Sequence, residues 1–277
     1  MSLRGLLLAA DTPERRARAL TRDPVRFPRR YEERADIEVA AVLAAMCAYG
    51  RVDLYGPVLE RLLTHADLRG GPATLATTFH EDDARALAEV RYRWNPPEDF
   101  HALLRLLGGV LRDHGSIGAL FVPGPLAESL AGAIDALRAR RESRAANLRA
   151  WLPSPRDGSA CKRWLMLLRW MVRHDDVDMG VWTHLSPRDL VLPLDTHTGR
   201  ISRFLGLSKR ATADWRMAEE VTRGLARLQP DDPVRFDFAL AHLGISGGCK
   251  GYRHATICPA CPVTSVCRAP AEPHPDR

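Results

Sequence analysis

The sequence lacks any run of about twenty apolar residues, so we do not expect it to span a membrane. The first residues, 1–16, hold one short apolar stretch, lack a small-residue cleavage site and soon become charged, which does not fit a secretory signal peptide. Aromatic residues make up only 6%, and lysine is scarce beside arginine. With membrane-spanning and secreted classes not expected, the sequence predicts a globular protein of 277 residues, 45% of them hydrophobic, and we expect it in the cytoplasm.

Strand-like alternation is also scarce, and apolar residues recur at spacings of three and four, which predicts an all-α fold. Residues 35–48 predict a helix buried on most sides. Residues 153–160 are rich in turn formers, and helical spacing resumes over residues 161–173, so this part reads as helix, tight turn, helix. Asp195 begins a further helix that Gly206 closes.

The charge is moderately basic, with a formal net charge of +6 and a sequence pI of about 9.2. Such an excess fits a polyanionic partner such as nucleic acid. It fits an ordinary solvated surface equally well, so the charge alone does not assign a partner.

The six cysteines are not spread like a disulfide framework. Four of them crowd near the C-terminal end, with gaps of eight, two and five residues: Cys249, Cys258, Cys261 and Cys267. Thiolates so close in sequence can converge on one centre, and they select zinc or iron–sulfur. A zinc ribbon usually pairs two knuckles with a two-residue gap, whereas only Cys258 and Cys261 have that gap here. The pattern predicts a metal site and leaves both metals open.

This spacing resembles the 4Fe–4S loop of the endonuclease III family, within the helix-hairpin-helix superfamily of DNA glycosylases. The last two gaps match that loop, and the first gap is two residues longer. The resemblance implies a 4Fe–4S cluster on the four cysteines, with zinc as the alternative. It also implies that the cluster supports the loop against DNA and takes no part in the catalysis.

Residues 193–200, with the sequence PLDTHTGR, resemble the V-D-T-H segment of the same superfamily. There the aspartate lies at a helix N-terminus and faces the extruded nucleotide, which implies a catalytic role for Asp195. An aspartate at that place is also a common helix cap. In lyase-competent members a lysine begins the second helix of the hairpin, and Lys162 lies there in this sequence. The resemblance implies Lys162 as the nucleophile that forms an imine.

Four further residues are candidates for DNA contact. Gly158 and Ser159 lie in the hairpin turn, which departs from the usual L-P-G-V-G wording of the family, and their backbone N–H groups could bind a phosphate. His197 and Arg200 lie one turn into the helix that follows Asp195 and could touch phosphates near the lesion. Both could equally belong to an ordinary surface face of that helix.

The resemblance implies a two-lobed, all-α helix-hairpin-helix glycosylase fold with a C-terminal iron–sulfur cluster loop. One lobe is expected over residues 36–165, ending in the hairpin. The other joins residues 1–35 to 190–277 and holds the cysteine loop, 249–267. Residues 150–267 further resemble a divergent bacterial family with similarity to 8-oxoguanine DNA glycosylases and AP lyases, and the wide gap between Lys162 and Asp195 is similar to that of the archaeal 8-oxoguanine glycosylases.

The implied function is base-excision repair by a monomeric, nucleoid-associated enzyme that acts on double-stranded DNA with a damaged base. It would be a DNA N-glycosylase with AP lyase activity, and its base would be an oxidised one, 8-oxoguanine. A glycosylase without lyase activity, for a mispaired or alkylated base, is the first alternative. A zinc-stabilised nucleic-acid-binding protein without enzymatic activity is the second. Candidates for stacking on a purine are Trp164, Met166, Trp170 and Trp182.

Overall fold

Helices make up nearly all the regular structure of the computed structural model, which describes residues 1–140, 146–245 and 248–272. Over these residues the chain forms α-helices, short 3₁₀ turns and three isolated β-bridges, with no strand. The all-α prediction is therefore confirmed. No helix in the described ranges combines the length and the apolar character that crossing a membrane requires.

Contacts divide the chain into two compact units. The smaller unit consists of Met1–Arg18, Gly158–Leu165 and Pro187–Arg277, and the larger of Ala19–Asp157 and Met166–Ser186. The sequence-based division had given residues 36–165 to one lobe and residues 1–35 plus 190–277 to the other. The compact units differ from it in that residues 19–35 belong to the larger unit and residues 158–165 to the smaller one. Residues 166–186, which the division assigned to neither lobe, belong to the larger unit.

The first eight helices run through the N-terminal half of the chain, and all but the first two lie wholly within the larger unit. They are α1 (Leu3–Ala10), α2 (Pro13–Leu20), α3 (Arg34–Cys47), α4 (Val52–Leu68), α5 (Pro72–Thr77), α6 (Glu81–Ala86), α7 (Pro97–His114) and α8 (Leu126–Ala139). The remaining four are α9 (Lys162–Val172), α10 (Thr196–Phe204), α11 (Trp215–Ala226) and α12 (Asp237–Ile245).

Helix α3 is the centre of the larger unit, because every residue from Ile37 to Cys47 is buried. One of them is charged: Glu38, which is 1% exposed. Its carboxylate accepts hydrogen bonds from the Trp182 indole N–H (2.7 Å) and from the backbone N–H of Ile117 (2.7 Å). Burial of a carboxylate is tolerated when its oxygens are paired in this way.

The smaller unit is built around α10, which packs against α12. Gly244 of α12 makes the close approach possible, since a Cβ there would lie 3.1 Å from the Cβ of His197. Helix α1 also packs against α12, and α11 contacts both α10 and the 3₁₀ turn Pro233–Phe236. Helix α10 is thereby fixed on several sides, and its first turn carries the candidate site.

Candidate active site and candidate metal centre

Lys162 is the first residue of α9 and directly follows a tight turn. Two positions in this turn have left-handed backbone: Gly158, with φ of 74°, and Cys161, with φ of 49°. Such a φ is strained for a residue other than glycine. The turn is held by Ser159, whose Oγ accepts a hydrogen bond from the backbone N–H of Cys161 at 3.1 Å. The position of Lys162 is therefore set by a short, well-defined turn.

Asp195 is the N-cap residue of α10, as the sequence predicted. Its Oδ1 accepts a hydrogen bond from the backbone N–H of Thr198 at 2.8 Å, and its Oδ2 accepts one from the Lys162 ammonium at 2.6 Å. The Lys162 side chain is 34% exposed and that of Asp195 is 22% exposed. The fold thus brings together two residues that lie 33 positions apart in the sequence, and both remain accessible to a ligand.

Burial raises the pKa of Asp195, but the Lys162 ammonium and the hydrogen bonds from Lys162 and Thr198 lower it more. The pKa of this carboxyl therefore lies below its usual range, and Asp195 is an anion at neutral pH. An anion next to a primary amine can stabilise a cation that forms beside it and can accept a proton from the amine.

The sequence contains three lysines, Lys162, Lys209 and Lys250, among forty basic residues. Lys209 and Lys250 are exposed, whereas Lys162 is half-buried and paired with a carboxylate. Arginine carries the positive charge almost everywhere else in the chain. Lys162 is therefore a primary amine in a protein that uses arginine for nearly all other cationic positions.

The other predicted site residues lie around this pair. Ser159 forms an isolated bridge with Asp214, and the Gly158 carbonyl accepts a hydrogen bond from the backbone N–H of Trp215 at 3.4 Å. His197 is exposed, and its proximity contributes to the lowered pKa of Asp195. Gly158, Ser159 and His197 all lie in the smaller unit together with Lys162.

Arg200 faces the cysteine loop. Its Nη2 donates to the carbonyl oxygen of Cys249 at 3.2 Å, and the side chain packs against Gly251, where a Cβ would lie 3.5 Å from its Cδ. Its Nε is buried and has no hydrogen-bond partner among the described residues. In this structure Arg200 joins α10 to the loop that begins at the first of the four clustered cysteines.

The four clustered cysteines line one small cavity, together with apolar residues of α10 and the loop itself. Burial raises the pKa of the Cys261 thiol, and the nearby thiols of Cys267, Cys258 and Cys249 raise it further. The backbone N–H of His254 donates to the Cys258 sulfur at 3.2 Å. Hydrogen bonds of this kind support a thiolate, which is the form that binds a metal.

The described part of the chain contains no group of three or more His, Cys, Asp or Glu side chains drawn together as a metal-binding set. The fit of a metal centre is therefore judged by the donors. Four thiols on one cavity are the ligands of a thiophilic centre, and they suit either a 4Fe–4S cluster or zinc. The residues present fit such a group.

The tryptophans that the sequence suggested for base stacking are core residues. Trp164 and Trp170 are each 1% exposed and Trp182 is 0% exposed, so none of them offers a free ring face to a nucleobase. They pack inward because large aromatic side chains bury much apolar surface in the core, and the Trp182 ring stacks on Phe121 with centroids 5.1 Å apart. Met166 is half-buried.

An exposed aromatic turn in the larger unit was missed by the sequence analysis. Tyr92 and Asn95 exchange two backbone hydrogen bonds of 2.9 Å, which leaves Arg93 and Trp94 at the tip of the turn. Trp94 is 57% exposed, although its ring stacks on Tyr49 with centroids 5.1 Å apart. The Arg93 guanidinium lies 5.0 Å from the Trp94 ring centroid. The signal in the sequence was an aromatic residue between an arginine and the Asn-Pro-Pro break.

A family model for "protein of unknown function (DUF2400)" matches residues 23–246. This range is more than half of the chain, so the protein belongs to that family. The matched range includes Lys162 and Asp195 and ends before the four clustered cysteines. No curated protein matches the chain.

Proposed function

We propose that this protein is a DNA glycosylase with AP lyase activity, and that Lys162 and Asp195 perform the chemistry. The observation that carries the proposal is the 2.6 Å contact between the Lys162 amine and the Asp195 carboxylate, with Asp195 fixed at the N-cap of α10. The resemblance of the hairpin and of the segment 193–200 to the helix-hairpin-helix glycosylases supports it. The proposal includes a finer fold assignment within the all-α class, namely the two-lobed helix-hairpin-helix glycosylase fold.

In the proposed reaction the damaged nucleotide leaves the duplex, because the glycosidic bond is not accessible inside the base stack. The neutral Lys162 amine attacks C1′ of the deoxyribose while the C1′–N bond to the base breaks. Asp195 stabilises the positive charge on the sugar, accepts the proton that the amine loses and allows it to pass to the departing base. The ammonium of Lys162 must first release one proton to solvent, so that Asp195 is still a carboxylate when the amine attacks.

The covalent sugar then opens to an imine between C1′ and Nζ of Lys162. The imine makes the C2′ proton acidic. Loss of that proton breaks the C3′–O bond and nicks the strand, and water then releases the sugar from Lys162. The bond between C1′ and Nζ and the imine that forms from it both require a primary amine. The guanidinium of an arginine cannot replace it.

For the base we propose an oxidised purine, 8-oxoguanine. The wide gap between Lys162 and Asp195, similar to that of the archaeal 8-oxoguanine glycosylases, supports this choice. Double-stranded DNA is the partner that the activity requires. The net charge of +6 is compatible with it.

For the four clustered cysteines we propose a 4Fe–4S cluster. When bound, it would hold the loop 249–267 as one rigid element, with the exposed Lys250 on its surface. The proposed reaction contains no redox step, and Lys162 and Asp195 alone make and break its bonds. Equal amounts of iron and acid-labile sulfide in the purified protein, with visible absorption, would support the cluster, and stoichiometric zinc in a colourless protein would replace it.

The decisive experiment is borohydride trapping on a panel of duplexes, each with one damaged base or an abasic site. We expect a covalent protein–DNA product with the 8-oxoguanine and abasic duplexes. The matched variant is Lys162→Arg, which keeps the charge and the ion pair with Asp195 but cannot form an imine, and it should trap nothing. Lys250→Arg is the control and should trap like the wild type.

Asp195→Asn should slow base release by about 100-fold, because an amide neither neutralises the sugar cation nor accepts the proton. Undiminished trapping by Lys162→Arg would remove Lys162 from the role. Base release without any trapping or nicking would instead favour a glycosylase without lyase activity. Binding of DNA with no base release from any duplex would favour a non-enzymatic protein.

A further inference from the structure

The turn that precedes Lys162 is fastened to the start of α11. The backbone N–H of Trp215 donates to the Gly158 carbonyl at 3.4 Å, and Ser159 pairs with Asp214 in an antiparallel bridge. Within the turn, the Ser159 hydroxyl accepts from the N–H of Cys161. The residue that directly precedes Lys162 is therefore linked to α11 through Ser159.

Helix α10, which begins after Asp195, rests on the same part of α11. A Cβ on Gly199 would lie 3.3 Å from the Cε of Met217 and 3.8 Å from the Cβ of Ala213. Glycine at position 199 thus lets the backbone of α10 lie directly against the Met217 side chain. The Arg203 guanidinium adds a hydrogen bond of 3.0 Å to the Ala211 carbonyl, just before α11 begins.

The first turn of α11 is itself held firmly. Asp214 caps it, with Oδ1 accepting from the N–H of Met217 at 2.8 Å. Arg210 binds the same carboxylate with two nitrogens, Nη2 to Oδ2 at 2.6 Å and Nε to Oδ1 at 3.2 Å. This bidentate geometry fixes the orientation of the carboxylate as well as its distance.

We propose that the first turn of α11, residues 213–217, is a positioning platform for the Lys162–Asp195 pair. One segment supports the turn before Lys162 on one side and the helix behind Asp195 on the other. A displacement of α10 on this platform therefore changes the distance between the amine and the carboxylate. Gly199 and Met217 are its positioning residues, and the catalytic meaning of the platform rests on the function proposed above.

The test uses the full chain and a steric exchange between the two helices. In Gly199→Val, the larger side chain pushes α10 away from Met217, and the Lys162–Asp195 contact lengthens. Met217→Ala in the same chain makes room for the valine and should restore the contact. The control is Gly132→Val, the same replacement in α8 of the larger unit, where a Cβ would meet nothing within 4 Å.

The first readout is the rate at which N-hydroxysuccinimidyl acetate acetylates Lys162, measured on peptides by mass spectrometry relative to Lys250. A lysine held in an ion pair reacts slowly, and the exposed Lys250 serves as the internal reference. We expect the ratio to rise about three- to fivefold in Gly199→Val, the size of effect that loss of a partly exposed ion pair gives. The double variant should return to the wild-type ratio, and Gly132→Val should not change it.

Gly199→Ala provides a milder second variant if the valine prevents folding, since Met217 must then move by only a few tenths of an ångström. It should raise the ratio by a smaller factor, again reversed by Met217→Ala. An unchanged ratio in a folded Gly199 variant, or a raised ratio that Met217→Ala does not reverse, would overturn the platform.

The second readout is imine trapping on an abasic duplex at saturating DNA. Gly199→Val should lower the trapping rate at saturating DNA, and the double variant should recover the rate. If the valine only damaged the structure, the trapping rate would not change in parallel with the acetylation ratio across all the variants. If the wild type traps nothing, the proposed function fails, while the acetylation ratios still decide the platform.

Discussion

Asp195 uses its two carboxylate oxygens for different purposes. Oδ1 accepts the hydrogen bond from the Thr198 N–H that caps α10, and Oδ2 accepts the one from Lys162. Replacement by asparagine keeps an oxygen for the cap, because Asn and Asp are about equally good N-cap residues. The same replacement removes the charge. Asp195→Asn therefore separates the ion pair from the cap.

We expect Asp195→Asn to lower the free energy of unfolding by about 1 kcal/mol or less at neutral pH, the value of a partly exposed ion pair. Because the folded-state pKa of Asp195 is lowered, its contribution is present above the ordinary carboxyl pKa and is lost as the pH falls through the folded-state value. The difference between wild type and variant should thus shrink below about pH 4. Urea denaturation over this pH range measures it, and a difference that grows in acid would contradict the ion pair.

Two helical glycines lie in opposite surroundings and give a matched pair of variants at the scale of the element. In α7, a Cβ on Gly108 would lie 2.0 Å from the carbonyl oxygen of Ala76 in α5, whereas a Cβ on Gly132 in α8 would meet nothing within 4 Å. Gly132→Ala should raise the free energy of unfolding by about 1 kcal/mol, because alanine favours the helix. Gly108→Ala should lower it by about 1–3 kcal/mol, because the helices must separate. Thermal or urea unfolding of the two variants checks both signs.

The loop after α9 is anchored by a buried charge cluster. Asp178 is 1% exposed and forms ion pairs with Arg169, at 3.1 Å, and with Arg173. Both arginines are also buried, at 5% and 9% exposure. Asp178→Asn removes the carboxylate that the two buried arginines share, although Asp175 still pairs with Arg173 at 3.0 Å. We expect a loss of about 3–5 kcal/mol in the free energy of unfolding.

The control for this variant is Asp82→Asn, which removes a carboxylate that pairs with Arg85 where both side chains are more than 70% exposed. Its cost should be much smaller than that of Asp178→Asn, because solvent screens the exposed pair. Equal costs in the two variants would show that the buried cluster rearranges to satisfy its arginines. Urea denaturation at neutral pH provides the comparison.

At the scale of the whole molecule, the distribution of tryptophans gives an optical probe of the proposed DNA binding. Five of the six are buried, with exposures of 6% or less, and Trp94 is 57% exposed. Acrylamide should therefore quench mainly Trp94. If the turn of Arg93 and Trp94 contacts DNA, duplex DNA should protect this residue, and Trp94→Ala should weaken binding about tenfold. Binding unchanged in Trp94→Ala would remove this turn from the interface.

The sequence predicted the helices well where their signals are local. The apolar run of 35–48 became α3, and Asp195 caps α10 through its own side chain. A cap needs only a few neighbouring residues, so it can be read from the sequence.

The contacts between distant parts of the chain could not be predicted in the same way. The spacing of apolar residues does not show whether the rings of Trp164, Trp170 and Trp182 are buried, because packing against distant parts of the chain decides this. No local pattern indicates that Glu38 is paired with Trp182 or that Arg200 donates to the Cys249 carbonyl. The contact between Lys162 and Asp195 was suggested by a resemblance to a family, because their spacing alone does not indicate it.

The scarcity of lysine has a consequence for natural variation in this protein. An arginine at position 162 would keep the charge, the helix start and a partner for Asp195, so folding, solubility and abundance would remain normal. Only the imine would be lost. A lineage that exchanges lysine for arginine throughout its proteins therefore meets, at this one position, a change that conservative substitution scores count as neutral and that abolishes the proposed reaction. Natural copies with arginine at 162 would be well-folded proteins that no assay of stability could tell from active ones.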